Sequence, residues 1–115
     1  MGPDPRLASA VQVSAFIRLA QAGGDFAMVL RKGDPVAGAI MLIGLVRGQN
    51  PVLYERFPSL DGGSPWQTTD PKSSATEKDI AALWQKRAER DPDLWVIELD
   101  VASPERLNGL LTAAT

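Results

Sequence analysis

The sequence predicts an α+β domain: an antiparallel sheet of four to five strands with two to three helices mainly on one face. Three observations carry that reading. Val13, Phe16, Ile17 and Ala20 recur at helical spacing between Val11 and Ala22. The run Val36-Ala37-Gly38-Ala39-Ile40-Met41-Leu42-Ile43-Gly44-Leu45-Val46 is apolar without interruption and bracketed by turn signals. Leu94 to Val101 alternates strictly, with Trp95, Ile97, Leu99 and Val101 on one face.

Taken in order, residues 1–6 carry two prolines and a glycine and read as a flexible tail before a domain spanning 7–115. The first helix turns Gln12, Arg18 and Gln21 away from its stripe and stops at Gly23-Gly24. Asp25 to Arg31 alternates Phe26, Met28 and Leu30 against Ala27, Val29 and Arg31, giving a strand half to fully buried. Lys32-Gly33-Asp34-Pro35 is then a hairpin turn into the apolar run. That run is a strand, since Gly38 and Gly44 would each cost a helix about 1 kcal/mol relative to alanine.

Val52 to Phe57 forms a third strand, and Leu60-Asp61-Gly62-Gly63 a reverse turn after it. Residues 65–69 return as a short edge strand. Ser74 and Glu77 fit a capping box for a second helix, whose stripe is Ile80, Leu83, Trp84 and Ala88. Asp91-Pro92 ends it. After the 94–101 strand, Ser103-Pro104 opens a third helix with Leu107, Leu110 and Leu111. Short links among the early strands predict an antiparallel meander.

One imbalance follows. A single helical layer covers one sheet face, yet the 36–46 strand is apolar on both. Ile40, Leu42 and Val46 point one way; Ala39, Met41, Ile43 and Leu45 point the other. A homodimer pairing sheet faces or sheet edges is one solution, with Met41, Ile43, Leu45 and Trp66 as interface candidates; a ligand cleft is another.

Composition narrows the chemistry. In 115 residues there is no cysteine and no histidine, so thiol nucleophiles, disulfides, imidazole bases and thiolate or imidazole metal ligands are all excluded. A net charge of −2 offers no general attraction to nucleic acid or anionic membranes, and the acidic and basic residues of the second helix interleave. The eleven-residue apolar run is far short of a membrane span of about 20 residues. The expectation is a cytoplasmic binding or accessory protein, without cofactor and more an association module than an enzyme.

Two constellations are the candidates for chemistry. Arg31, Lys32 and Asp34 form the most site-like turn; with Tyr54 and Arg56 they are the candidate pocket for a small anionic ligand. Glu55, Glu98 and Asp100 are the carboxylates that neighbouring strands would gather around a divalent cation, the basis of an enzymatic alternative. Cross-strand ion pairing is the competing role for the carboxylates, and a hairpin turn with solvated charges is that for the 31–35 turn.

An ordered set of short stretches adds to this. Val13-Ser14-Ala15-Phe16-Ile17-Arg18, Leu30-Arg31-Lys32-Gly33-Asp34, Gly38-Ala39 and Leu53-Tyr54-Glu55-Arg56 are followed by Asp61-Gly62-Gly63 with Trp66 and by Asp91-Pro92-Asp93-Leu94-Trp95-Val96-Ile97-Glu98-Leu99. Over roughly residues 7–101 this series resembles a family of small alphaproteobacterial proteins, the domain of unknown function DUF1491. The resemblance implies a stand-alone domain of about this length, and it implies no particular activity, substrate, cofactor or catalytic residue.

Overall fold

A computed structural model of the chain describes residues 8–56, 66–68 and 76–113. The elements are α1 (Ser9–Ala22), β1 (Phe26–Arg31), β2 (Ile40–Val46), β3 (Gln49–Arg56), β4 (Gln67–Thr68), α2 (Glu77–Arg90), β5 (Trp95–Val101) and α3 (Pro104–Ala113). The expected 1–6 tail, the Leu60–Gly63 turn and Ser74 lie outside the described residues.

The strands form one mixed sheet in the order β1-β5-β2-β3-β4. β5 lies between β1 and β2, antiparallel to β1 and parallel to β2. The antiparallel meander is therefore corrected: β1 and β2 are not neighbours. The eight residues between them, 32–39, easily cross two strand spacings of about 10 Å. The parallel pairing needs a long crossover, and α2 with the segments around it supplies one.

The two faces have separate cores. On one, α1 and α3 bring Val13, Phe16, Leu107 and Leu110 against Ile40, Leu42, Trp95, Ile97 and Leu99. On the other, α2 lays Ile80 and half-buried Trp84 and Ala88 over Met41, Ile43, Leu53, Leu94 and Val96. Two of the three helices thus share a face. The third resolves the imbalance of the apolar run, because β2 is central and covered on both sides, as parallel-paired strands usually are.

Local signals explain the termini. α2 is capped by Thr76 and Asp79 rather than Ser74 and Glu77: Thr76 Oγ1 accepts the Asp79 amide at 3.2 Å, and Asp79 Oδ2 accepts the Thr76 amide at 3.0 Å. Ser103 Oγ accepts the Arg106 amide at 3.1 Å, as expected of an N-cap. β2 and β3 join through Arg47-Gly48, both at positive φ, which is the primed hairpin turn that matches strand twist.

The 32–39 connection is a strap across the lead-in to β5. The Asp34 amide donates to Asp93 O at 3.0 Å, the Trp95 amide to Ala39 O at 2.9 Å, and Trp95 Nε1 to Asp34 O at 2.7 Å. It also serves α1, which has no side-chain N-cap. The amides of Ser9 and Ala10 donate instead to Val36 O and Pro35 O, and Ser9 Oγ donates to Gly38 O at 2.7 Å.

Contact this close between backbones leaves no room for side chains. A Cβ at Gly33 or at Gly38 would be driven into the carbonyl oxygen of Asp93, whereas one at Gly109 in α3 meets nothing within 4 Å. Gly33→Ala and Gly38→Ala should each cost about 1–3 kcal/mol, lowering the melting temperature by about 4 °C per kcal/mol at this length. Gly109→Ala should raise stability by roughly 0.5–1 kcal/mol. Thermal melts of the three variants check the contrast.

Candidate functional site

The turn at 31–35 carries the most charge of any connection, and most of that charge is spent on structure. Arg31 Nη1 donates to Leu94 O at 2.7 Å and to Pro92 O at 3.0 Å, clasping the lead-in to β5. Asp34 Oδ2 accepts the amides of Val36 and Ala37 at 3.0 and 2.9 Å, which fixes the turn in the strap. Lys32 is exposed. The hairpin turn expected here is instead this clasp.

Tyr54 and Arg56 stand on the far side of the sheet. Arg31 is level with Val96, which is level with Met41 and then Glu55. Three strand spacings, about 14 Å, therefore separate the two halves of the expected anion pocket. Tyr54 and Arg56 share a face of β3 beside Trp66. The Arg56 guanidinium lies 5.6 Å from the centre of the Trp66 ring, and that ring meets Phe16 edge-on at 5.9 Å. Burial pushes the Tyr54 phenol up and pulls the Arg56 guanidinium down from their ordinary values. Trp66 thus packs against the α1 core, and its buried Nε1 has no acceptor among the described residues.

The three carboxylates are not gathered either. Glu55, 6% exposed, is ion-paired with Arg87 of α2. Asp100 Oδ1 accepts the Gly48 amide at 2.9 Å and so steadies the β2–β3 turn. Glu98 is two strands from Glu55 and two residues along, about 12 Å by strand geometry. Among the described residues no group of three or more acidic side chains has the arrangement to hold a metal ion. Burial first, then the nearby Glu77 and Asp100 carboxylates, push the Glu98 carboxyl above its ordinary value.

The interface candidates on β2 require correction. Met41, Ile43 and Leu45 are 4%, 5% and 2% exposed within this one chain, because α2 and the flanking strands already cover them. Exposed apolar side chains adjoin instead on β1, where Phe26, Met28 and Val29 are 52%, 43% and 37% exposed; Val11, Leu19, Val36 and Leu83 are exposed singly elsewhere. Alternation in the sequence suggests a half to fully buried strand there. β1 is an edge strand, so it lacks a neighbour on one side and much of the cover that goes with it. The only sequence signal for an edge would have been strand order, which is not local.

These features define a class: a small α+β domain with helices on both faces of a five-stranded mixed sheet. Several of its described charged groups, Arg31, Asp34, Glu55, Asp79 and Arg87 among them, serve as clasps, caps and ion pairs. The chain belongs to the DUF1491 family of proteins of unknown function, whose profile matches residues 7–108.

Solved relatives share the fold. A crystal structure of a DUF1491 family protein from Caulobacter crescentus is 35% identical, covering 82% of this chain and 87% of its own, with a TM-score of 0.71. A solution structure of a protein from A. tumefaciens is 32% identical, covers 93% of each chain and has a TM-score of 0.77. An NMR structure of a Caulobacter crescentus family protein is 35% identical, covers 89% of this chain and 90% of its own, with a TM-score of 0.72. None of the curated proteins compared with the chain matches it. No helix among the described residues is long and apolar enough to cross a membrane.

Glu98 gives this region a pH signature. With its folded pKa raised, the native state binds more protons than the unfolded chain between the ordinary and the raised values. Its stabilising effect is full below the ordinary carboxylate value and is lost as pH rises through the raised one. Glu98→Gln should therefore melt higher than the parent at about pH 7 and flatten the decline in stability from about pH 4 upward. Thermal melts across that range test it, and an unchanged or lower neutral melting temperature would refute it.

Proposed function

We propose that this chain is a homodimeric binding or accessory module without catalytic activity, working in the cytoplasm through association rather than chemistry. One observation carries the reading: three exposed apolar side chains, Phe26, Met28 and Val29, adjoin on the β1 edge, while Arg31, Asp34 and Glu55 among the candidate ligand groups are committed to internal bonds. Exposed apolar surface on an unpaired edge is an association surface in physical terms. The absence of cysteine and histidine is in keeping with it, since neither a thiol nor an imidazole is present to do chemistry.

A second reading has its own support. Tyr54, Arg56 and Trp66 bring a phenol, a guanidinium and an aromatic face together at the β3 side of the sheet, a combination suited to a small planar anion. Arg31, Lys32 and Asp34 do not belong to such a site.

A thermal-shift screen separates the two. A ligand present at about a hundred times its Kd adds about 2.7 kcal/mol, which is about 10 °C for a chain of this length. Nucleotides, organic acids, magnesium and manganese should leave the melting temperature unchanged if the association reading holds. A shift of that size with an organic acid or nucleotide, abolished in Arg56→Gln, would establish the ligand-binding reading in its place. A saturable shift with either metal would restore the carboxylate enzyme.

A further inference from the structure

Building on the homodimeric module, we propose that its interface is the free edge of β1, paired antiparallel with β1 of a second copy about a two-fold axis at Met28. The occupant is a second copy because the edge is self-complementary in both shape and charge.

Shape comes first. Phe26 to Val29 keep regular register against Asp100 to Ile97, and the irregularity falls only beyond Val29, toward Arg31. Bulges, prolines and inward charges are the usual devices that blunt an edge; the stretch 26–29 contains none of them, and the register shift at Leu30 falls at the outer end of the paired segment. The opposite edge, β4, has two residues among those described. A two-fold axis through Met28 sets Met28 against Met28, Phe26 against Leu30, and Ala27 against Val29. Each pair joins apolar residues, and each lies on one face of a continuous sheet. The α1 side of the sheet continues across the axis, and on the other side the exposed Phe26 and Met28 of each copy shelter one another.

Charge follows the same axis. At the start of β1 the neighbouring strand presents Asp100 opposite Phe26 and Glu98 opposite Met28. At its end stand Arg31 and exposed Lys32. Antiparallel self-pairing sets Arg31 of each copy opposite Asp25 of the other, where Asp25, Asp100 and Glu98 outnumber Arg106, the ion-pair partner of Asp25, whereas a parallel arrangement would set like charges together.

The test uses the full chain. Light scattering at tens of micromolar should give about twice the 12.3 kDa chain mass. Met28→Lys sets two ammonium groups against each other across the axis. It should weaken dimerisation by about tenfold or more, because directly opposed like charges disfavour strand pairing. Its side chain is exposed in the single chain and faces Glu98, so the fold is expected to survive, as a far-ultraviolet spectrum and melt would verify. Lys32→Glu should also weaken the dimer, and Leu83→Lys, on the exposed side of α2, should not.

Amide exchange supplies an independent readout. Alternate β1 amides should become protected as concentration rises, which packing of sheet faces would not produce. A dimer unaffected by Met28→Lys and without β1 protection would overturn the edge while leaving a homodimeric module. A wild-type mass near that of one chain would overturn both the edge and the homodimer.

Discussion

The structure depends on a close backbone crossing. The strap from Lys32 to Ala39 passes over the lead-in to β5, so near that Gly33 and Gly38 have no space for a Cβ beside Asp93. Around that crossing, hydrogen bonds from Arg31, Asp34 and Trp95 hold the start of β5 in its slot between β1 and β2. The strap's own carbonyls satisfy the first amides of α1, which otherwise has no cap. The start of the first helix and the placement of β5 between β1 and β2 are thus tied to one contact. A buried backbone group without a partner costs about as much as a lost hydrogen bond, so the arrangement is held at several points at once.

That contact also explains where the charges went. Arg31 and Asp34 look like a ligand site because two charged groups flank a glycine in a turn. They are consumed by carbonyls and amides that the crossing brings within reach. Glu55 is similarly committed: it sits beneath α2, and Arg87 provides the counter-charge that a carboxylate needs at that depth. Neither pairing follows from sequence distance, since 32 residues separate Glu55 from Arg87 and 63 separate Arg31 from Leu94.

Legibility in the sequence follows the same division between local and distant. The helices, the strands and the 67–68 edge segment were readable, because period, glycine and proline act within a few residues. The capping box was displaced by two residues because Ser74-Glu77 and Thr76-Asp79 both satisfy its spacing. The apolar run demands cover on both faces, and its Ile40–Val46 part has it; Val36 to Ala39 belong to the strap instead of the strand, with Val36 and Ala37 exposed. What supplied the cover was α2, and its stripe gives no sign of which face it will meet. The β1–β2 hairpin failed for a related reason: a short link sets an upper limit on separation without requiring adjacency. The candidate sites failed with it, since Tyr54 and Arg31 would approach only in a different strand order.

The second face of the sheet divides along its length, and the division gives the free edge its character. α2 covers the half carrying Leu94, Val96, Met41 and Leu53, with the Glu55–Arg87 pair at its rim. The other half ends in Glu98 and Asp100 on β5, with Phe26 and Met28 exposed beside them on β1. Covering this half with another helix would bury two carboxylates, a large desolvation cost for little apolar gain. Extending the sheet sideways avoids that cost. A strand added to β1 satisfies the outward backbone groups and shelters Phe26 and Met28 at their edge, while Glu98 and Asp100 keep their access to water. The geometry that leaves this half open above therefore favours its completion from the side.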